Sequence, residues 1–245
     1  GVAMTSSKMM NGNMLIVDGL TKCYPGAEVD AVSDLSFALP RGSICGFIGP
    51  NGAGKTTTMR ICSTLEMPDR GDVWVDGYSV LEYPDEVRKR IGFMPDAFPI
   101  DPNVLVEDML EFFGRAHGLW GDELAAMVES VVAFTTLEEL LRKPFGALSK
   151  GMKQRAALAT VLMHDPQLLI LDEPAAGLDP RARVELRTLL QLLAQQGKTI
   201  LISSHILAEL TEICTHAVVI EQGKLKADRS LRSHSAIQTD GGHST

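Results

Sequence analysis

Between positions 49 and 56 the chain reads Gly49-Pro50-Asn51-Gly52-Ala53-Gly54-Lys55-Thr56, spaced G-x-x-x-x-G-K-[ST], followed by Thr57. That spacing is the phosphate-binding loop. Glycines let the backbone curl so that successive N–H groups point inward at phosphate oxygens. A helix N-terminus behind them adds partial positive charge. Lys55 is expected to reach the β- and γ-phosphates of a nucleotide, and the Thr56 hydroxyl to ligate Mg²⁺. A second cluster is Asp172-Glu173, two acids that close the apolar run Leu168-Leu169-Ile170-Leu171. At the carboxyl end of a parallel strand, Asp172 is placed to hold Mg²⁺, directly or through its water. Glu173 is placed to take a proton from an attacking water. His205, after Ser203-Ser204 at the end of another apolar run, falls beside the same phosphate.

These residues need a particular scaffold. Ile44-Cys45-Gly46-Phe47-Ile48 is long enough for a buried strand, and Lys55 to Thr64 holds no Gly or Pro and reads as a helix. Strands are expected at Met14–Val17, in one or two pieces over Val29–Leu39, at Val73–Val75, Ile91–Met94, Leu168–Leu171, Thr199–Ile202 and Ala217–Ile220. Gln222-Gly223 turns the last of these into a short hairpin. A short basic helix is expected over Glu86–Arg90. From Pro95 the texture changes: after a proline-rich loop, Val104–His117, Asp122–Phe134 and Leu137–Arg142 carry apolar residues at helical spacing. Residues 96 to about 150 therefore read as a helical insertion. Ser149 caps a helix running to His164, Asp179-Pro180 opens one that Gly197 ends, and Leu207–Ile213 reads as a last helix. The fold class is α/β, a mostly parallel sheet with an antiparallel β addition at its front.

The chain of 245 residues has net charge -8 and pI about 5.3, with 45% hydrophobic residues. An acidic balance argues against nucleic acid as a partner. Cys23, Cys45, Cys62 and Cys214 lack metal-type spacing and read as small buried hydrophobes in a reducing compartment. No apolar run approaches the ~20 residues that span a bilayer. The stretch 1–12 reads as disordered or tag-like and not as a signal peptide. Residues 13–229 read as a single domain, and 230–245 as a flexible tail.

Taken in order, the motifs resemble the ATP-binding subunits of ABC transporters, over about Met14 to Ala227. Tyr24 matches the aromatic that stacks on adenine. Gly49 to Thr57 match the phosphate loop, and Asp172 and Glu173 the acidic pair. Leu148-Ser149-Lys150-Gly151-Met152 matches the signature motif that sets this family apart from other phosphate-loop ATPases. Ala176-Gly177-Leu178-Asp179 matches the loop at the dimer interface, and His205 the switch histidine that contacts the γ-phosphate. The resemblance implies a RecA-like P-loop NTPase core with a β subdomain and an inserted helical subdomain. It implies a homodimer with ATP and Mg²⁺ sandwiched between one copy's phosphate loop and the other copy's Ser149 and Gly151. A separate membrane permease would dock near Asp96–Asn103, where Phe98 and Ile100 lie, and hold the chain peripherally on the cytoplasmic face of the membrane.

Two positions depart from the family pattern. Asp96 stands where glutamine is usual, a shorter side chain that cannot donate a hydrogen bond, and is expected to face Mg²⁺ through water. Lys150 and Met152 stand where Gly and Gln are commonest. This variant signature, with Ser203-Ser204-His205-Ile206-Leu207, looks most like bacterial exporters of the drug-resistance and sodium-efflux group. The function expected is an ATPase subunit energising export. The alternatives are a soluble ATPase of this type not coupled to transport, or a regulatory module that hydrolyses slowly. The single cassette, the absence of heptads, Glu173 and His205 weigh against them.

Overall fold

A computed structural model describes residues 12–231. Ten strands fall into two sheets. The first is antiparallel and holds β1 (Asn13–Lys22), β2 (Val32–Pro40), β4 (Arg70–Val75) and β5 (Tyr78–Ser79), in the order β2-β1-β4-β5. The β4–β5 turn is Asp76-Gly77, with φ of 49° and 85°, the paired left-handed residues that match the twist of a tight hairpin. The second sheet runs β10-β9-β3-β8-β7-β6. It contains β3 (Ile44–Ile48), β6 (Ile91–Met94), β7 (Leu168–Leu171), β8 (Thr199–Ser204) and β9 (His216–Glu221), all parallel. Antiparallel β10 (Lys224–Ser230) closes one edge.

Side chains in the second sheet alternate between two cores, as the strand period of two requires. Ile44, Ile48, Leu169, Leu171, Ile200 and Ile202 enter one core. Cys45, Phe47, Leu168, Ile170 and Leu201 enter the other, shared with the antiparallel sheet. Coverage on both faces is why β3, β7 and β8 read as unbroken apolar runs. Helices α1 (Lys55–Cys62) and α2 (Pro84–Arg90) lie on the side of the antiparallel sheet. On the other side lie α3 (Val106–Ala116), α4 (Gly121–Thr135), α5 (Lys150–Val161) and α6 (Pro180–Gln195). Phe98 and Ile100 pack partly against this second group. Cys45, Cys62 and Cys214 are buried free thiols, but Cys23 is half-exposed.

Three expectations need correction. Leu137–Arg142 forms only a 3-10 turn at Glu138–Leu140. Thr136 ends α4 in the left-handed region at φ 53°, and the bonds that follow are i+3 ones, Leu140 N–H to Leu137 O at 2.9 Å and Lys143 N–H to Leu140 O at 3.0 Å; Pro144, with no N–H, cannot supply an i+4 bond to Leu140 O. Leu207–Ile213 likewise holds only the 3-10 turn Leu207–Glu209. There the Ser204 hydroxyl bonds Ile206 N–H at 2.9 Å and Glu209 Oε2 at 3.0 Å, folding the segment back on its own start. Ser230, expected to open the tail, is the last residue of β10, paired with His216. Positions 1–11 and 232–245 lie outside the described residues.

His117 and His164 stack face to face, ring centroids 3.8 Å apart, next to the ends of α3 and α5. His164 Nε2 lies 2.6 Å from the Ile91 carbonyl. Burial pushes His164 down to about 4, with the neighbouring His117 acting in the same direction. A histidine depressed in the fold contributes stability that is complete above its unfolded value of about 6.5 and is lost as pH falls from there toward the folded value. Allowing for its partial exposure, the loss is about 2 kcal/mol. Urea unfolding between about pH 7 and pH 5 should therefore show a steeper loss for the native chain than for His164→Gln. Parallel pH profiles would remove the histidine as the cause.

Candidate functional site

The site forms where β3, β7 and β8 end on one edge of the parallel sheet. From β3 the chain enters the loop 49–54 and then α1. Gly54 takes φ 105°, and no side chain caps α1, so the first turn of the helix presents its N–H groups outward. The loop is seated against the body: Gly49 N–H donates to Ser204 O at 3.3 Å and Gly223 N–H to Ala53 O at 2.8 Å. A Cβ on Gly54 would stand 2.5 Å from the Ala31 carbonyl, and one on Gly49 would meet the Ile220 carbonyl.

One cleft on this edge is lined by Asn51, Gly52, Gly54, Lys55, Thr56, Thr57, Asp96, Asp172 and Glu173, with Ala31. Gly49 and Ala53 do not line it. Gly49 works through its carbonyl, which accepts from Lys55 Nζ at 2.6 Å, and Ala53 is buried. Lys55 is only 5% exposed and also donates to Glu173 Oε1 at 2.9 Å. Thr56 Oγ1 donates to Asp172 Oδ2 at 2.9 Å. His205 Nδ1 lies 3.1 Å from Glu173 Oε2, linking groups 32 residues apart. Tyr24 OH lies 3.0 Å from Thr57 Oγ1 and donates to Glu66 Oε2 at 2.6 Å, which fixes its ring beside α1. Asp96 turns one oxygen to its neighbour, Ala97 N–H, at 2.8 Å.

The two acids feel opposite environments. Burial raises Asp172, and hydrogen bonds from Ser203 and Thr56 only partly offset it, with the Asp96 and Glu173 carboxylates adding repulsion. Burial also acts to raise Glu173, but hydrogen bonds from Lys55 and His205, and their charges, outweigh it and hold the carboxyl below its ordinary value.

The signature residues are elsewhere. Ser149 and Lys150 are exposed, and Gly151 and Met152 are half-buried. They line a separate cleft with Arg155, Gly177, Asp179, Arg181, Ala182 and Glu185. Ser149 caps α5, its hydroxyl accepting from Met152 N–H at 3.3 Å. Asp179 caps α6, accepting from Ala182 N–H at 2.8 Å. A Cβ on Gly151 would come 2.8 Å from Ala182 Cβ, so glycine lets the two helix N-termini meet, and Lys150 lies over Gly177. Two positive helix ends thus face one exposed cleft.

Sequence reasoning passed over three residues that this geometry uses. Ser203 touches both acids. Gln154 donates to Pro174 O at 2.7 Å, tying α5 to the turn after the acids. Glu209 joins Ser204 to Arg183 on α6, at 3.0 and 3.9 Å. The only local signal was polar Ser203-Ser204 ending a strand otherwise apolar.

Comparison with known proteins points to one family. The family model described as ABC transporter matches residues 32–176. The chain is 38% identical over 211 residues to the Nod factor export ATP-binding protein I of Ralstonia nicotianae, covering 86% of this chain and 65% of that one. It therefore spans just under two thirds of that relative's length. It is 35% identical over 206 residues to the ABC transporter ATP-binding protein NatA of Bacillus subtilis, 84% of each chain being covered. Among solved structures it is similar to cbiO1 from Clostridium perfringens, part of the ABC transporter complex cbiONQ. The TM-score there is 0.81 at 28% identity, over 92% of this chain and 91% of that one.

Gly54→Ala tests the loop geometry. With left-handed backbone and a carbonyl in the way of its Cβ, alanine should cost about 2 kcal/mol or more. Its urea midpoint should fall and nucleotide-analogue binding be lost; an unchanged midpoint would show that the loop tolerates the side chain.

Proposed function

We propose, for a chain that belongs to the ABC transporter family, the work of an ATP-binding and ATP-hydrolysing subunit that pairs with a second copy on ATP and drives export through a separate membrane permease. The observation that carries this reading is the separation of two half-sites. The cleft of Lys55, Asp172 and Glu173 and the cleft of Ser149, Gly151 and Asp179 share no lining residue. The second is exposed and built from helix N-termini, which attract phosphate oxygens. A terminal phosphate is then gripped from one side by Lys55 and the N–H groups of the loop, and from the other by Ser149 and Gly151 of the second copy. ATP is the adhesive, and loss of phosphate reopens the pair.

Within one copy, the Tyr24 ring is fixed by Thr57 and Glu66, at a place suited to stacking on adenine. The donor set suits a hard divalent cation. Thr56 and Asp172 offer oxygens 2.9 Å apart and Asp96 lines the same cleft. Among the described residues no group of three or more His, Cys, Asp or Glu is placed to hold a metal by itself, in keeping with a cation that completes its shell from phosphate and water. Mg²⁺ would be held by Thr56 and Asp172, with Asp96 acting through water, and would supply charge neutralisation on the β- and γ-oxygens.

Glu173 is the base. Its ion pair with Lys55 makes it a weak one until phosphate competes for the ammonium. As Lys55 turns to the phosphate, Glu173 loses the partner that holds it low and becomes better matched to the proton of the attacking water. His205, in contact with Glu173, orients it and stabilises charge on the transferring phosphoryl group. No helix among the described residues is long and apolar enough to cross a membrane, which suits a subunit that relies on its permease for attachment on the cytoplasmic side. The export relatives, named for Nod factor export, support the direction of transport.

Two experiments test this reading. Glu173→Gln should lower kcat by about 100-fold or more while ATP is still bound, and gel filtration in ATP should then show a stable dimer. A strictly monomeric, ATP-saturated variant would end the two-copy scheme. Lys55→Ala and Ser149→Arg, each inactive alone, should recover activity when mixed, because the mixed pair contains one intact composite site. With random pairing the recovery approaches about a quarter of the native rate. Two dead variants that stay dead together would place the whole active site in a single copy.

A further inference from the structure

We propose that Ser203 is a positioning residue for the acid pair, a single hydroxyl that sets the backbone of Glu173 and the carboxylate of Asp172 together; the inference rests on Glu173 being the catalytic base. Ser203 is 1% exposed, one residue before the end of β8. Its Oγ accepts from Glu173 N–H at 2.8 Å and donates to Asp172 Oδ1 at 2.7 Å. An amide donates only, so the hydroxyl proton is left to the carboxylate. The direction of both bonds is fixed, and no other placement of one O–H satisfies both neighbours.

Each bond has a distinct consequence. Glu173 is held at φ 50°, in the left-handed region that a residue with a Cβ enters at a cost of roughly 1 kcal/mol or more. The ladder pairing β7 to β8 stops at Leu171 and Ile202, so beyond it the Ser203 hydroxyl is the acceptor for the Glu173 N–H. Remove it and the peptide is free to relax, carrying the Glu173 carboxylate from Lys55 at 2.9 Å and His205 at 3.1 Å. At Asp172, Ser203 takes Oδ1 while Thr56 takes Oδ2. The carboxylate is held by both oxygens and cannot swing, as befits a group meant to meet a cation in one orientation.

A serine that merely satisfied buried polar groups would affect stability alone. A positioning serine acts in large part through Glu173, so its effect must shrink when Glu173 can no longer serve as base, leaving only the part that runs through Asp172. In the full-length chain, Ser203→Ala and the volume-preserving Ser203→Cys should each lower kcat by about 10-fold or more. Affinity for ATP, measured without Mg²⁺ by displacement of a fluorescent analogue, should stay within about 2-fold of native. In the Glu173→Gln background, either serine variant should lower the residual rate by a clearly smaller factor than it lowers the native rate, the remainder being its part through Asp172. Retention of native kcat by both serine variants, or an equal loss in the Glu173→Gln background, overturns the inference. A native chain that binds ATP without turnover overturns the ATPase reading and the inference with it, whereas native turnover that both variants keep overturns the inference alone. Should Ser203→Ala fail to fold, the thiol variant carries the same three measurements.

Discussion

A buried ammonium is the constraint around which this protein is built. Lys55 lies almost out of water, and an unpaired charge there would be prohibitively costly. It is matched by one carboxylate, Glu173, and one carbonyl, Gly49. Satisfying it requires the loop after β3 and the residue after β7 to meet, and the strand order makes that possible. β8 lies between β3 and β7, so residues following the outer two strands converge over the end of the middle one. Ser203 and His205, at the end of that middle strand, are the side chains that brace Glu173 from beneath and from the side. A parallel sheet gathers such ends on one edge, and its buried strands keep the spacing rigid.

On the function proposed, the same ion pair would give the site two states. In one, Lys55 and Glu173 neutralise each other. In the other, a phosphate takes the ammonium and frees the carboxylate. The energy difference between them would be set by competition between a carboxylate and a more highly charged phosphate for one cation, so that arrival of the substrate would arm Glu173 as the proposed base. Asp172 takes no part in that exchange. It is tied to Thr56 and Ser203, hydroxyls that cannot neutralise it, and burial raises it as a result. Two adjacent acids thereby acquire different tasks from different neighbours.

Much of this was legible in the residues themselves because the motifs are local. Strand, glycine loop and helix follow one another between Ile44 and Cys62, and the acids directly follow an apolar strand. The last hairpin announced itself in Gln222-Gly223. The misread stretches are those decided by particular polar groups that apolar spacing does not register. Leu137–Arg142 has the apolar spacing of a helix, but Thr136 before it turns left-handed and Pro144 after it has no N–H to donate back to Leu140. Leu207–Ile213 is held short by Ser204 and Glu209. Ser203 was invisible as a functional residue for another reason. Serine at a strand end is unremarkable until the register of β8 against β7 sets its hydroxyl between two acids 30 and 31 residues away.

The second cleft makes sense only in terms of what the first lacks. Lys55 and the open first turn of α1 approach a phosphate from one side, and the acids occupy the floor. Nothing of α5 or α6 lines that cleft, yet both helices turn their N-termini outward together, close enough that only glycine fits at position 151. Helix ends so arranged repel one another, since each carries the same partial charge. The Asp179 carboxylate that caps α6 offsets part of that charge, while Lys150, Arg155 and Arg181 line the same cleft and add to it. On the function proposed, the remaining positive charge would be met by the anion that a second copy holds at its own Lys55. In that reading, what each copy lacks on the open side of its phosphate loop is what the other would carry on its surface, and closure of the pair would relieve both at once.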